Sequence, residues 1–285
     1  MRAVAGQKRE WERMLAGRRA DSRRRLALTV SRFGPPAALI ALLIALWQVI
    51  TWVGQMPEWL LPSPARILQT AWEVGPALVP HIGQTLLETF WGLGLALTAG
   101  LLLAFAIDLS PFLRRALYPL LVASQTIPII ALAPLLVVWF GFGMVSKVVV
   151  VALVCFFPIA INTADGLRAT DPEHVALLRA MGARRGQIFR VVRLPSALPP
   201  FFSGLRIAVT YGVIGAVIAE WIGASQGLGI YMIRSANAFR TAQLFTAIAV
   251  ASLLSIALFL LVSGLERALL PWYHTAKREE QWESM

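Results

Sequence analysis

The sequence predicts an all-α, polytopic membrane protein with six transmembrane helices, and three observations carry that prediction. Of 285 residues, 58% are hydrophobic and only 14% charged, with a mean hydropathy of +0.68. Soluble domains run nearer about 45–50% apolar and about 25% charged. Six stretches, 33–57, 89–107, 116–146, 148–164, 207–234 and 241–265, suffice to cross a bilayer core, which takes roughly 20 apolar residues of helix. The net charge of +11 is also unevenly spread. With the amino terminus inside and six spans threaded, twenty-one Lys and Arg fall on the cytoplasmic side and four outside. Such asymmetry fixes orientation, so both termini are expected in the cytoplasm. No basic stripe is interleaved with aromatics, which argues against nucleic acid as a partner.

In chain order, residues 1–32 form a basic cytoplasmic tail, 33–269 the membrane domain and 270–285 a cytoplasmic tail. The tail's Arg18, Arg19, Arg23, Arg24 and Arg25 either lie along anionic lipid headgroups or belong to a frayed end. A cleaved signal peptide does not fit, because the charged region is too long and the apolar run exceeds about 15 residues. The spans are placed at about 35–54, 86–107, 116–139, 147–165, 203–222 and 243–265. Residues 55–84 read as an external loop in which Leu61-Pro62-Ser63-Pro64 stops regular structure and 67–72 lies as a short surface helix. Pro119, Pro128 and Pro134 predict a kinked third span. Trp47, Trp52, Trp59, Trp139, Trp221 and Trp272 fall near the expected interfaces, as an aromatic belt would.

One long polar stretch interrupts the interior, from Asp171 to Pro195 within the loop 166–200. It reads as two short helices. Asp171, Pro172 and Glu173 make an N-cap, a first helical position and an acidic first turn. Val175, Leu178 and Met181 recur at helical spacing, and Gly182 can take the left-handed conformation that ends a helix. The second helix carries Ile188, Val191 and Val192 on one side, with Arg184, Arg185, Arg190 and Arg193 on the rest. Leu194-Pro195 is expected to end it, and Pro199-Pro200 to turn the chain back into the membrane. A short apolar knob in a basic surround suits docking on another protein; a plain basic loop obeying the charge rule is the alternative.

Gly182, nine residues, Val192, any residue, Leu194 and Pro195 resemble the EAA loop in permease subunits of bacterial ABC importers. Ala176-Leu177-Leu178 stands where that family often has Glu-Ala-Ala, and Glu173, one turn away, is a substitute for the missing acid. The blocks SQTIPIIALAPLLVVWFGFG, FFPIAINTADGLR, LPSALPPFFSGLRIA and AEWIGASQGLG are similar to the nitrate/sulfonate/taurine group of these permeases. Within the group the wording is most similar to the branch importing thiamine-precursor pyrimidines such as hydroxymethylpyrimidine, with riboflavin importers close by. The resemblance implies a type I ABC importer permease fold in the bacterial inner membrane. It implies that Glu173, Val175, Leu178, Met181, Gly182, Ile188, Val192, Leu194 and Pro195 form a coupling helix and its surround. It also implies a cytoplasmic ATPase subunit, an external solute-binding protein and a second permease copy, in a homodimer. Sulfonate, taurine, nitrate and riboflavin remain alternative substrates.

No GxxxxGK[ST] phosphate loop occurs, so this chain has no Walker-type ATP site; the resemblance implies that ATP and Mg belong on the partner ATPase and that this chain carries no cofactor of its own. Polar groups inside a bilayer are costly and mark pathways; the candidates are Gln125, Thr126, Asn162, Tyr211 and Glu220. Glu220 lines an outer gate, reaches the outer headgroups or caps the loop at Gly223, whereas Glu88 reads as interfacial. Asp108 and Asp165 are expected to pair locally with Arg114, Arg115 or Arg168. Gly92, Gly94 and Gly100 would permit close helix packing. A membrane-embedded enzyme or an assembly scaffold are the rival classes. The enzyme fails for want of a convergent constellation. His81, His174 and His274 fall in loops or tails, and the single Cys155 sits in a span, so no metal site is expected.

Overall fold

The structure, a computed structural model, describes residues 34–273, so the basic amino-terminal arginines and His274 lie outside the described residues. Helices, and no strands, make up its regular structure among them. Five are long and apolar enough to cross a bilayer, or six when one bent pair counts as a single span, in agreement with the expected number.

Two compact units divide at Leu68 and Gln69. The first holds α1 (Gly34–Val53), whose leucines and isoleucines are mostly exposed, as a lipid-facing helix requires. It also holds the start of α2 (Pro64–Leu109), where Ser63 Oγ accepts the Arg66 N–H at 3.2 Å. Here the structure corrects the expected external loop. Ser63-Pro64 begins a helix, as an N-cap followed by proline at the first position. The helix then continues through Pro76 and Pro80 for 46 residues, or about 69 Å at 1.5 Å per residue. Residues 67–72 are part of it.

The second unit holds the rest of α2 and all later elements. α3 (Pro111–Ser124) starts at an N-cap, Ser110, and α4 (Ile129–Phe140) follows after a 101° bend. The expected kink is a full break. Pro128 has no N–H to give, and the residue before a proline is held out of the helical region. α5 (Met144–Arg168) leads to the polar stretch, with α6 (Pro172–Ala180) and α7 (Arg185–Ile188). α8 (Leu194–Glu220), α9 (Leu228–Asn237) and α10 (Thr241–Leu269) complete the fold.

A second correction lies at Leu194-Pro195. The helix does not end there, because one wide turn, Phe189–Arg193, joins α7 to α8 without a break. Leu194 N–H reaches five residues back to the Phe189 carbonyl. Such a turn changes the hydrogen-bond register, and Ser196 Oγ supports the Val192 carbonyl at 2.8 Å. Pro199 and Pro200 then lie within α8. The irregular part of the loop therefore shrinks to the neighbourhoods of Ala169 and Gly182.

The core is built on α5 and α8, with α2 alongside. A Cβ at Gly166 would meet Ala197 and Pro200, at Gly204 Pro158, at Gly212 Cys155 and at Gly215 Val151 and Val154. Rising numbers on α8 meet falling numbers on α5, so the two run antiparallel. On α2 the buried positions Gly92, Ala96, Gly100 and Ala104 recur every fourth residue. Gly92 abuts Val151 and Gly100 abuts Ile159, an equal step on each helix, so α2 and α5 run parallel. Small residues at such positions let backbones approach where lipid supplies no hydrophobic drive. Gly94, in contrast, faces open space.

Candidate functional site

The helices set three polar sites into this frame: the 171–195 stretch, the α3–α4 break, and a buried charge cluster at the far end of α8.

In the polar stretch Asp171 accepts the Glu173 N–H at 2.8 Å, and Pro172 occupies the first turn of α6. The helix stops at Gly182, with φ +81°; Gly182 N–H donates to Arg179 O at 3.0 Å and Ala183 N–H to Leu178 O at 2.9 Å. These two bonds and the left-handed glycine are a Schellman stop. Glu173 and Met181 are exposed, Val175 and Leu178 half-buried. The second side differs from the expected face: Ile188 is buried, Val192 half-buried and Val191 64% exposed. Leu177, Met181 and Val191 are thus the large apolar side chains this stretch leaves uncovered.

Arg193 is the residue that sequence reasoning missed. Both its terminal nitrogens grip Asp108 at the end of α2, at 3.0 and 2.7 Å, and Nη2 also reaches Leu167 O at 3.2 Å. Arg114 adds a contact at 3.5 Å, and the Asp108 side chain is only 3% exposed. A bidentate, charge-assisted grip is strong and directional. The expected local partner Arg114 therefore takes second place to a residue 85 positions away. Asp165, expected to pair with an arginine, accepts from Tyr118 Oη at 3.1 and 3.3 Å. Nothing in the string of basic residues distinguishes Arg193 from Arg190.

Gln125, Thr126 and Tyr211 line one cavity of about 500 Å³ at the α3–α4 break, walled by α5 and α8. Asn162 does not join them. Its Nδ2 donates to Pro158 O at 2.8 Å, and its Cβ lies against Gly204.

Glu220 lies outside that cavity too. It is fully buried, and Oε1 accepts from Thr85 Oγ1 at 2.6 Å while Oε2 accepts the Gly229 N–H at the start of α9. Thr85 Oγ1 in turn accepts the Leu228 N–H at 2.9 Å. Nδ1 of His81 contacts Gly227, 3.0 Å from its N–H nitrogen and 2.9 Å from its carbonyl oxygen. Gly227, with φ +131°, lies so close that a Cβ would overlap the Glu220 carboxyl. Of the three readings for Glu220, capping is the one the geometry matches, at α9 rather than at Gly223.

Glu88 overturns its interfacial reading. It is 0% exposed, 3.6 Å from Lys147 Nζ, and accepts from Gln84 Nε2 at 2.7 Å. Lys147 itself is buried, and Glu88 Oε2 accepts no hydrogen bond among the described residues. His81, expected in a loop, sits on α2 one and two turns from Thr85 and Glu88. That spacing puts all three on one face of a helix. It was visible once α2 was allowed to start before residue 86. Nearer the other end, Arg206 Nη1 reaches Glu266 Oε2 at 2.9 Å, tying α8 to α10.

A family model described as "Binding-protein-dependent transport system inner membrane component" matches residues 96–275. The chain is 42% identical over 239 residues to the formylaminopyrimidine transport permease protein of Halalkalibacterium halodurans, covering 83% of this chain and 95% of that one. It is 37% identical to a riboflavin transport system permease of Chloroflexus aurantiacus, over 84% of this chain and 90% of the relative. It is 31% identical to the taurine transport system permease of Escherichia coli, over 82% and 88%. Among solved structures, the inward-facing MetNI methionine ABC transporter aligns with a TM-score of 0.61 at 22% identity, covering 69% of this chain and 97% of that one.

Proposed function

Because the chain belongs to the family of binding-protein-dependent transport system inner membrane components, we propose that it imports a thiamine-precursor pyrimidine. It is the permease subunit of an ABC importer, and ATP hydrolysis belongs to a separate subunit. The 42% identity to a formylaminopyrimidine permease is the observation that carries the substrate. Riboflavin, taurine, sulfonate and nitrate permeases are more distant relatives and supply the alternatives.

The polar stretch is the coupling segment, facing the ATPase that holds ATP and Mg. Its exposed apolar groups, Leu177 and Met181, stand on a helix with sharply defined ends, and Glu173 supplies a negative charge at its start. Val175 and Leu178 form the half-covered flank of that knob. The Schellman stop at Gly182 sets the angle at which the chain turns away. Ile188, Val192, Leu194 and Pro195 are covered or half-covered, so they seat the segment on the permease itself. With this segment in the cytoplasm, both termini are inside and the Glu220 bracket faces out, beneath the binding protein. A second copy of the chain completes the channel, with Gln125, Thr126 and Tyr211 on its wall, and lipid surrounds the exposed leucines of α1.

Reconstitution of the permease with its ATPase and binding protein in liposomes tests this reading. ATP-dependent accumulation of hydroxymethylpyrimidine, with taurine and riboflavin excluded, is the expected result. Accumulation of taurine instead would reassign the substrate, and no ATP-dependent uptake of any of them would sink the proposal.

A further inference from the structure

The break between α3 and α4 does more than bend a span. Non-helical backbone at membrane depth persists only where protein buries it or a polar cavity meets it. Here the break residues Gln125, Thr126, Ile127 and Pro128 themselves line the cavity of about 500 Å³, within the range of about 300–1,000 Å³ that small-molecule sites occupy. Among the described residues no hydrogen bond reaches the carbonyls of Gln125, Thr126 and Ile127. The hydroxyl hydrogens of Ser124 and Thr126 are spent on Leu121 O and Ala123 O, which leaves those oxygens as acceptors. Most of the wall is apolar, and the polar atoms set into it at the break are chiefly acceptors. No Lys, Arg, His, Asp or Glu lines it, and the aromatic rings of Phe157 and Tyr211 border it.

From this lining we infer that the cavity is a substrate site within the membrane domain for an uncharged, planar heteroaromatic amine, and that it turns away small oxyanions. The inference rests on the importer reading above and goes on to assign the selectivity to this chain as well as to its binding protein. Ring amino groups donate to the three carbonyls, and the Gln125 amide can both give and accept. Tyr211 Oη supplies a second donor for a ring nitrogen. A sulfonate or nitrate would meet carbonyl oxygens with no cation to compensate, and burying an unpaired charge is heavily unfavourable.

Equilibrium binding of tritiated hydroxymethylpyrimidine to the full permease–ATPase complex in nanodiscs, without binding protein, tests the site. Saturable binding at one site per permease chain is expected, undisturbed by a large excess of taurine or nitrate. Gln125→Leu and Tyr211→Phe should each weaken it about three- to tenfold, the worth of one neutral hydrogen bond. Leu253→Ala, on the exposed side of α10, should leave it unchanged. Gln125→Arg should reverse the preference and admit taurine, a gain that a misfolded variant could not show. Displacement by taurine in the wild type overturns the proposal. So does absence of saturable binding in a complex that still drives ATP-dependent uptake when the binding protein is added. A complex that takes up no probe under any condition overturns the importer reading and this site together.

Discussion

Replacing Lys147 with Met removes the one ammonium within the buried cluster while keeping its alkyl length. The wild-type pair lies at 3.6 Å with side-chain exposures of 8% for Lys147 and 0% for Glu88, a separation worth about 5 kcal/mol of Coulomb attraction at an effective dielectric of about 20. Desolvation consumes part of that in the intact protein. It cannot be recovered when one partner goes, so the loss on breaking the pair is expected at roughly 3–5 kcal/mol. Glu88 is especially exposed to the change, since Oε2 already lacks a hydrogen bond and Gln84 would be left as its main support. The expected fall in melting temperature of the purified complex is on the order of 10 °C. Glu88→Gln should cost less, because the amide oxygen still accepts from Gln84. The double variant should melt well above the sum of the two losses. Simple addition to within about 0.5 kcal/mol would mean that the two side chains do not feel each other, and the charge-bracket reasoning would fail.

The remaining predictions concern the other end of the same helices. Arg193→Leu should leave Asp108 with Arg114 alone and cut uptake at least about tenfold while ATP hydrolysis continues; the swap Asp108→Arg with Arg193→Asp should regain part of it, read as the ratio of uptake to hydrolysis. Gly182→Val forces a β-branched residue into φ +81°, costing about 1–2 kcal/mol; coupled uptake should be lost while membrane insertion persists, and normal uptake would count against the Schellman stop as a positioning device. Gly92→Ala places a methyl 2.4 Å from Val151 and should lower the melting temperature. Gly94→Ala, which meets nothing within 4 Å, should match or slightly exceed the wild type.

Patterns local to a helix were readable from the sequence, and pairings across it were not. Asp171-Pro172-Glu173 and Gly182 declare a start and a stop through backbone rules that depend on the residue alone. Pro128 declares a discontinuity for the same reason. Glu88, Lys147 and Glu220 are separated by 59 and 73 positions and meet only because α2, α5 and α8 pack side by side. Taken singly, a glutamate next to an apolar run looks interfacial. The prolines misled in a consistent way. Pro64, Pro195, Pro199 and Pro200 were read as stops or turns, yet each lies in a helix. A helix packed among neighbours or preceded by a cap tolerates a missing N–H that an isolated one would not. Composition could not reveal this, because the compensation lies in Ser63 and in the turn Phe189–Arg193.

These pairings also decide which part of the molecule can yield. α2 is tied to α8 twice. At one end Thr85 Oγ1 holds Glu220; at the other Asp108 is gripped by Arg193, in the turn that runs straight into α8. About 35 Å of helix rise separates Thr85 from Asp108, and about 40 Å separates Arg193 from Glu220. Two rods joined near both ends resist shear, so a push on the 171–195 stretch moves them together. α3 and α4 have no such double tie. They meet at a 101° break where the Gln125, Thr126 and Ile127 carbonyls accept no hydrogen bond among the described residues and whose residues border the cavity. Packed elements change state by discrete steps rather than by gradual deformation. The break is thus the element free to take a second arrangement when the α2–α8 frame shifts. Joining it to that frame should arrest transport without harming either site. Cysteines at Ala133 on α4 and Ala219 on α8, which share one buried cluster outside the cavity lining, should when joined by a disulfide leave ATPase binding intact and stop uptake, with recovery on reduction. Undiminished uptake after verified cross-linking would place the moving element elsewhere.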